Sequence, residues 1–288
     1  MDRDQARVLT VQRNTILGLL LALAAVAWAL LLGWRHSEMD MAMASPTMGL
    51  HAPLFLAIWV TMMVAMMFPT AAPMILVFHR LQAGRRGRGG AFVPTWVFVA
   101  GYMLVWALAG IAAYAAALAA EAAAASVALT PEISARIGGA VLVAAGVYQL
   151  SPLKDLCLSK CRTPVGIIMT SWREGILGAL RMGLLHGAYC LGCCWLLFAI
   201  LFPLGLMNIA AMAAVTALVF AEKTQPWGRR AAQAVAAALI VYGALVVGMP
   251  QILPTFAVGR DTAAPAATGM QMHMDMSGHG GAVPPSLR

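Results

Sequence analysis

Seven apolar runs alternate with short polar stretches along the 288-residue chain. They fall near 15–34, 53–78, 92–120, 133–153, 175–203, 206–222 and 231–249. Each approaches the roughly 20 apolar residues that a helix needs to cross a hydrocarbon core. The fifth run is long and the sixth is short, and Pro203-Leu204-Gly205 is the expected turn between them. The first run is too long for the apolar part of a signal peptide and is followed by Trp34-Arg35-His36, so it is expected to remain as an uncleaved helix. The pattern predicts an all-α, polytopic transmembrane bundle of about seven spans over residues 1–250. Residues 251–288 are rich in Ala, Gly and Pro and weak in periodicity, and are expected to form a disordered tail.

Composition supports this class: 61% of residues are hydrophobic and 10% are charged. A net charge of +8 would ordinarily raise the question of nucleic acid. Here the cations lie between the apolar runs, so no nucleic-acid partner is expected and membrane lipid is the natural surrounding. Residues 1–14, 79–91, 154–173 and 223–230 hold 14 of the 19 Lys and Arg side chains. The positive-inside rule then predicts a cytoplasmic N-terminus and an outward C-terminus.

That topology places two methionine-rich segments on the same outer face. One carries Met39, Met41, Met43 and Met48 with His36 and His51. The other, in the tail, carries Met270, Met272, His273, Met274 and Met276. Thioether sulfur is soft and uncharged and binds Cu(I) without losing a proton, which suits an oxidising exterior. Capture of copper is the expected role of these segments.

Further candidate ligands lie inside the apolar runs. In the second run Met63, Met67 and Met74 share a helical face with Met66 beside them. Pro69 and Pro73 are expected to kink or break that helix. In the fifth run His186, Cys190 and Cys194 follow at i, i+4 and i+8, with Cys193 adjoining. His186 lies about 11 residues, or roughly 16 Å, from the basic end of its run, near the middle of a bilayer. A buried cysteine is often an inert small apolar residue. Three of them one turn beyond a mid-membrane imidazole predict a metal site instead. Gly183 and Gly187 are expected to let another helix approach closely.

The basic stretch after the fourth run contains Cys157 and Cys161, flanked by Lys154 and Arg162. Neighbouring cations favour thiolate, and the pair is expected to act as a separate metal acceptor on the cytoplasmic side. Glu222 and Lys223 are expected to form a capping ion pair, and His79 to lie at an interface.

Three blocks resemble a known family: Trp59-x-x-Met62-x-x-Ala65-Met66-Met67-x-Pro69-x-x-x-Pro73-Met74; Gly101-Tyr102-x-x-x-Trp106; and Tyr148-Gln149-x-x-Pro152-x-Lys154-x-x-Cys157-x-x-x-Cys161. The most specific is a fourth, His186-Gly187-x-Tyr189-Cys190-x-Gly192-Cys193-Cys194-Trp195, continuing through Met207-Asn208 to Glu222-Lys223. Together these are similar to the bacterial family of predicted metal-binding integral membrane proteins. The resemblance covers roughly residues 50–250 and implies a helical membrane fold with bound metal.

The expected function is capture and relay of copper as Cu(I), across or within the membrane, with zinc ranked behind. A soluble metallochaperone or a cuproenzyme would be the partner. No nucleotide-binding loop is present, and acidic residues are almost absent from the runs, so neither an ATP-driven pump nor a carboxylate proton relay is expected. The alternatives are a membrane thiol-disulfide oxidoreductase and a non-catalytic assembly subunit.

Overall fold

The computed structural model describes residues 3–36, 47, 49–86, 93–127, 129–163, 166 and 173–253. Among these the chain is an all-α bundle without a strand. The helices are α1 (Arg3–His36), α2 (Ala52–Arg86), α3 (Thr95–Val127), α4 (Pro131–Gln149), α5 (Pro152–Arg162), α6 (Gly175–Ala199), a one-turn α7 (Leu201–Leu204), α8 (Ile209–Thr224) and α9 (Gly228–Gly248). A 3-10 turn, Pro250–Ile252, follows. The outer methionine segment up to Pro46, together with Met48, and the tail with Met270, Met272, His273, Met274 and Met276 lie outside the described residues.

Local chemistry explains several boundaries. Thr130 caps α4 by accepting a hydrogen bond from the Ile133 amide, with Pro131 in the first turn where no amide donor is needed. Ser151 and Pro152 repeat the device at α5, and Asn208 caps α8 through the Ala211 amide at 3.1 Å. Because Pro152 disfavours helical backbone at Ser151, α4 cannot run into α5, and the two are bent by 62°. The expected turn at Pro203-Leu204-Gly205 is closed by Gly205, whose φ of 95° suits only glycine well. Helix α2 continues through Pro69 and Pro73 without a break, contrary to one of the outcomes expected of them.

Five helices are long and apolar enough to cross a membrane: Arg7–Trp34, Ala52–Arg85, Thr95–Val127, Gly175–Leu204 and Gly228–Gly248. The bent α4–α5 pair makes a possible sixth. The sixth expected run, near 206–222, corresponds to α8, which has only 16 residues. The apolar window of α2 is 61% buried, whereas that of α3 is 17% buried. Helix α2 therefore runs through the core, and α1, α3 and α9 turn apolar side chains such as Leu19, Leu108 and Val241 outward.

Two glycine seams set the spacing of the bundle. A Cβ on Gly183 would collide with the Phe98 carbonyl oxygen, and one on Gly101 with the Leu180 carbonyl oxygen, so α3 and α6 touch backbone to backbone. Gly139 and Gly243 do the same between α4 and α9. Gly183→Ala is expected to cost about 1–3 kcal/mol through overpacking, read as a lower melting temperature of the purified protein. Gly18→Ala, where a Cβ meets nothing within 4 Å, is the control and should not destabilise.

The helices are unequal in reach. Tyr148 at the end of α4 donates to the Gly192 carbonyl at 2.5 Å, and Lys223 at the end of α8 reaches Cys190. Both ends therefore meet α6 some 16 residues, or about 24 Å, along from its N-terminal cap Glu174. Arg85 of α2, by contrast, pairs with Glu174 itself. A long wall of α2, α3 and α6 thus stands beside a shorter group of α4, α8 and α9. Helix α5 fills the step between them.

Candidate metal centre

The thiols of α6 meet a thiol of α5 at this step. Cys190, Cys193 and Cys194 are each at most 1% exposed. Cys161 is buried against them, hydrogen-bonded through its thiol to Cys190 and Cys193. Cys193 Sγ and Cys194 Sγ donate back to the Cys190 carbonyl at 3.1 and 2.8 Å. Cys157 is half-buried on the preceding turn of α5 and faces Gly192, where an added Cβ would lie 2.9 Å from its sulfur. Gly192 thus leaves room for α5 to lie on α6.

This corrects the expectation of two separate thiol stations. The spacing of Cys157 and Cys161 places both on one face of a short helix, but only packing reveals that the face is turned into the core. Cys161 belongs to the same cluster as Cys190 and Cys193.

Cys190 is the best connected of the five. Lys223 Nζ donates to its sulfur at 2.9 Å, and the Tyr102 hydroxyl lies 3.1 Å away. Lys223 also donates to Thr70 Oγ1 at 3.4 Å, and Thr70 Oγ1 lies 3.9 Å from Met67 Sδ. Met63, Met66 and Met67 are fully buried in the same core as the cysteines. Met67 therefore adjoins the thiol cluster through Thr70 and Lys223.

His186 lies one turn before Cys190 and is 3% exposed. Its ring stacks on Tyr102 with centroids 5.6 Å apart and leans on Phe98 at 6.0 Å. Its Nδ1 has no hydrogen-bond partner among the described residues. An unpaired buried imidazole nitrogen beside a thiol cluster is chemically free to serve as a ligand.

The expected Glu222–Lys223 ion pair does not form. Being adjacent on a helix, the two side chains point about 100° apart. Glu222 instead accepts from Lys154 Nζ at 2.7 Å and from Gln149 Nε2 at 2.9 Å. Lys154 also donates to Gln149 Oε1. Lys154 and Glu222 are each 1% exposed. Lys154 is therefore committed to a carboxylate and is not the cation that serves the α5 thiols, as its position in sequence suggested. Lys223, Tyr102 and Thr70 were not expected at the centre. The single lysine closing the apolar run of α8 was the visible signal for the first. His79 is buried at the far end of α2, with Nδ1 3.2 Å from Thr95 Oγ1.

Four thiols, an imidazole and buried thioethers are a soft donor set suited to Cu(I). Among the described residues no three His, Cys, Asp or Glu side chains converge as a ready-made chelate. The Cys161–Cys190 contact brings two sulfurs together across helices.

The fold and the site together describe a helical bundle with apolar, membrane-length helices around a buried sulfur cluster. Comparison with known families makes this specific. Residues 56–246 match the PpoB2 family, described as copper chaperones, and the chain belongs to it. Its role is copper-related, in agreement with the soft donors. The matched segment contains every residue of the cluster and excludes the tail. No curated protein and no solved structure matches the chain.

Proposed function

We propose that the protein is an integral membrane copper chaperone of the bacterial inner membrane. The outer Met–His segments, including Met270, Met272, His273, Met274 and Met276, collect Cu(I). Met63, Met66 and Met67 share the buried core with the site that receives it. Cys161 and Cys190 hold the ion as thiolates, with Cys193, Cys194, Cys157 and His186 as neighbouring donors. The ion then passes to a cuproenzyme or a soluble metallochaperone by ligand exchange. The observation that carries this reading is the meeting of Cys161 from α5 with Cys190 and Cys193 from α6 in a buried, cation-flanked cluster. Each thiol that binds releases a proton, and the resulting thiolate outcompetes a thioether for the metal, so transfer from methionine to cysteine is downhill.

The test is the copper content of the full-length protein, purified in detergent and measured by mass spectrometry. Copper should co-purify. Changing Cys190, Cys193 and Cys194 together to Ser should remove most of it. An unchanged stoichiometry in that variant would eliminate the cluster as the binding site.

The same thiol contact also suits a second reading, a thiol-disulfide oxidoreductase, because Cys161 and Cys190 could exchange two electrons. That reading expects a redox-dependent gel mobility shift that needs both cysteines, with no bound copper.

A further inference from the structure

We propose that Lys223 sets the charge selectivity of the thiol cluster, fitting it to a monovalent soft cation over a divalent one. This rests on the copper reading above and names what makes the site prefer its ion.

The placement of Lys223 is unusual. Its ammonium donates to Cys190 Sγ at 2.9 Å and to Thr70 Oγ1 at 3.4 Å, and among the described residues it meets no carboxylate. The adjacent Glu222 is turned away and fully engaged by Lys154 and Gln149. Lys223 is half-buried, and a cation partly withdrawn from water without a carboxylate partner is costly. Among the described residues the acidic groups near Lys223 are the thiols, Cys190 first, and the Tyr102 hydroxyl.

Charge counting then separates the metals. Two thiolates holding Cu(I) carry one net negative charge, which Lys223 neutralises. The same two thiolates holding Zn(II) are neutral, so the Lys223 charge is left uncompensated inside the protein. A divalent ion would be balanced only by recruiting a third thiolate. The candidates, Cys193 and Cys194, have their sulfurs bonded to the Cys190 carbonyl, and no three ligands converge among the described residues. A softer ligand set alone would favour copper over zinc by chemistry. Lys223 adds discrimination by charge, and it acts over a short distance, 2.9 Å from Cys190 Sγ.

The experiment uses the full-length protein in detergent. Cu(I) affinity is measured against a colorimetric Cu(I) chelator, and Zn(II) affinity against a zinc chelator. Wild type is compared with Lys223→Met, Lys223→Gln and Lys223→Arg. Removing the charge should lower the ratio of Cu(I) to Zn(II) affinity by roughly ten- to a hundredfold. Lys223→Arg should keep the ratio near that of wild type. Lys223→Met suits an apolar site and Lys223→Gln keeps a donor for Cys190, so misfolding of one leaves the other to be read. A double variant, Lys223→Met with Thr70→Lys, restores a cation from α2 and should recover the ratio. An unchanged ratio in the folded neutral variants, with Cu(I) still bound by wild type, would overturn the role of Lys223 and leave the copper reading intact. Failure of wild type to bind Cu(I) at all would overturn the copper reading, and the inference with it.

Discussion

Glu222→Ala is expected to destabilise the protein by roughly 3–5 kcal/mol, because it leaves the Lys154 ammonium buried without a partner. The effect should be read as a lowered melting temperature and as faster alkylation of Cys161 by a membrane-permeant thiol reagent. The second readout follows from geometry: Lys154 lies on α5, and its pair with Glu222 ties that helix to α8. The other ties are weaker. Arg229 meets Asp155 at 3.1 Å, but with side chains 73% and 48% exposed. Such a pair contributes about 0–1 kcal/mol. Two further variants separate charge from position. The reversed pair, Lys154→Glu with Glu222→Lys, keeps the attraction and should recover most of the loss, since the Gln149 amide can present either end to either partner. Replacing both residues with Met and Leu removes the buried charges together and should cost far less than Glu222→Ala. Equal destabilisation by the single and double replacements would show that the pair does not govern α5.

The second large effect is expected at Cys161. Cys161→Ser should reduce bound copper as strongly as Cys190→Ser, because the two sulfurs form one site. Separate stations would behave otherwise. Loss of a distant acceptor would leave the α6 cysteines loaded and remove only the share bound at α5. Copper per protein, measured by mass spectrometry for the two single variants and their combination, decides between these. If the double variant loses the sum of two partial losses, the stations are independent. If each single variant already loses nearly everything, they are one.

The long, strongly apolar elements were legible in sequence because length and hydropathy alone determine them. Helices α2, α3, α6 and α9 lie close to their expected runs. The stripe of His186, Cys190 and Cys194 was legible for a related reason, since residues four apart on a helix must share a face. What could not be read was contact between elements. Cys161 and Cys190 are 29 positions apart, and nothing in the spacing of either motif places one on the other. Lys154 and Lys223 show the same limit. Each was assigned a partner close in sequence, and each finds its partner across the bundle, Lys154 at Glu222 and Lys223 at Cys190. Where the short α4 and α8 end relative to α6 was likewise not legible. Hydropathy reports how long an apolar run is, but not that its end meets α6 halfway along.

The contrast between the two surfaces that meet at the cluster has a consequence for release. On one side, the glycine seam between α3 and α6 locks backbone against backbone, so Cys190 and Cys193 sit on a surface with almost no freedom to shift. On the other, Cys161 rides on an 11-residue helix that follows the bend at Ser151 and is tied to its neighbours by the buried Lys154–Glu222 pair, the exposed Arg229–Asp155 pair and an Arg162 bond to the Gln225 carbonyl. On the proposed reading, cargo gripped between an anvil and a jaw would be surrendered by moving the jaw. A recipient thiol would displace Cys161 and leave the wall that bore the ion unaltered for the next one.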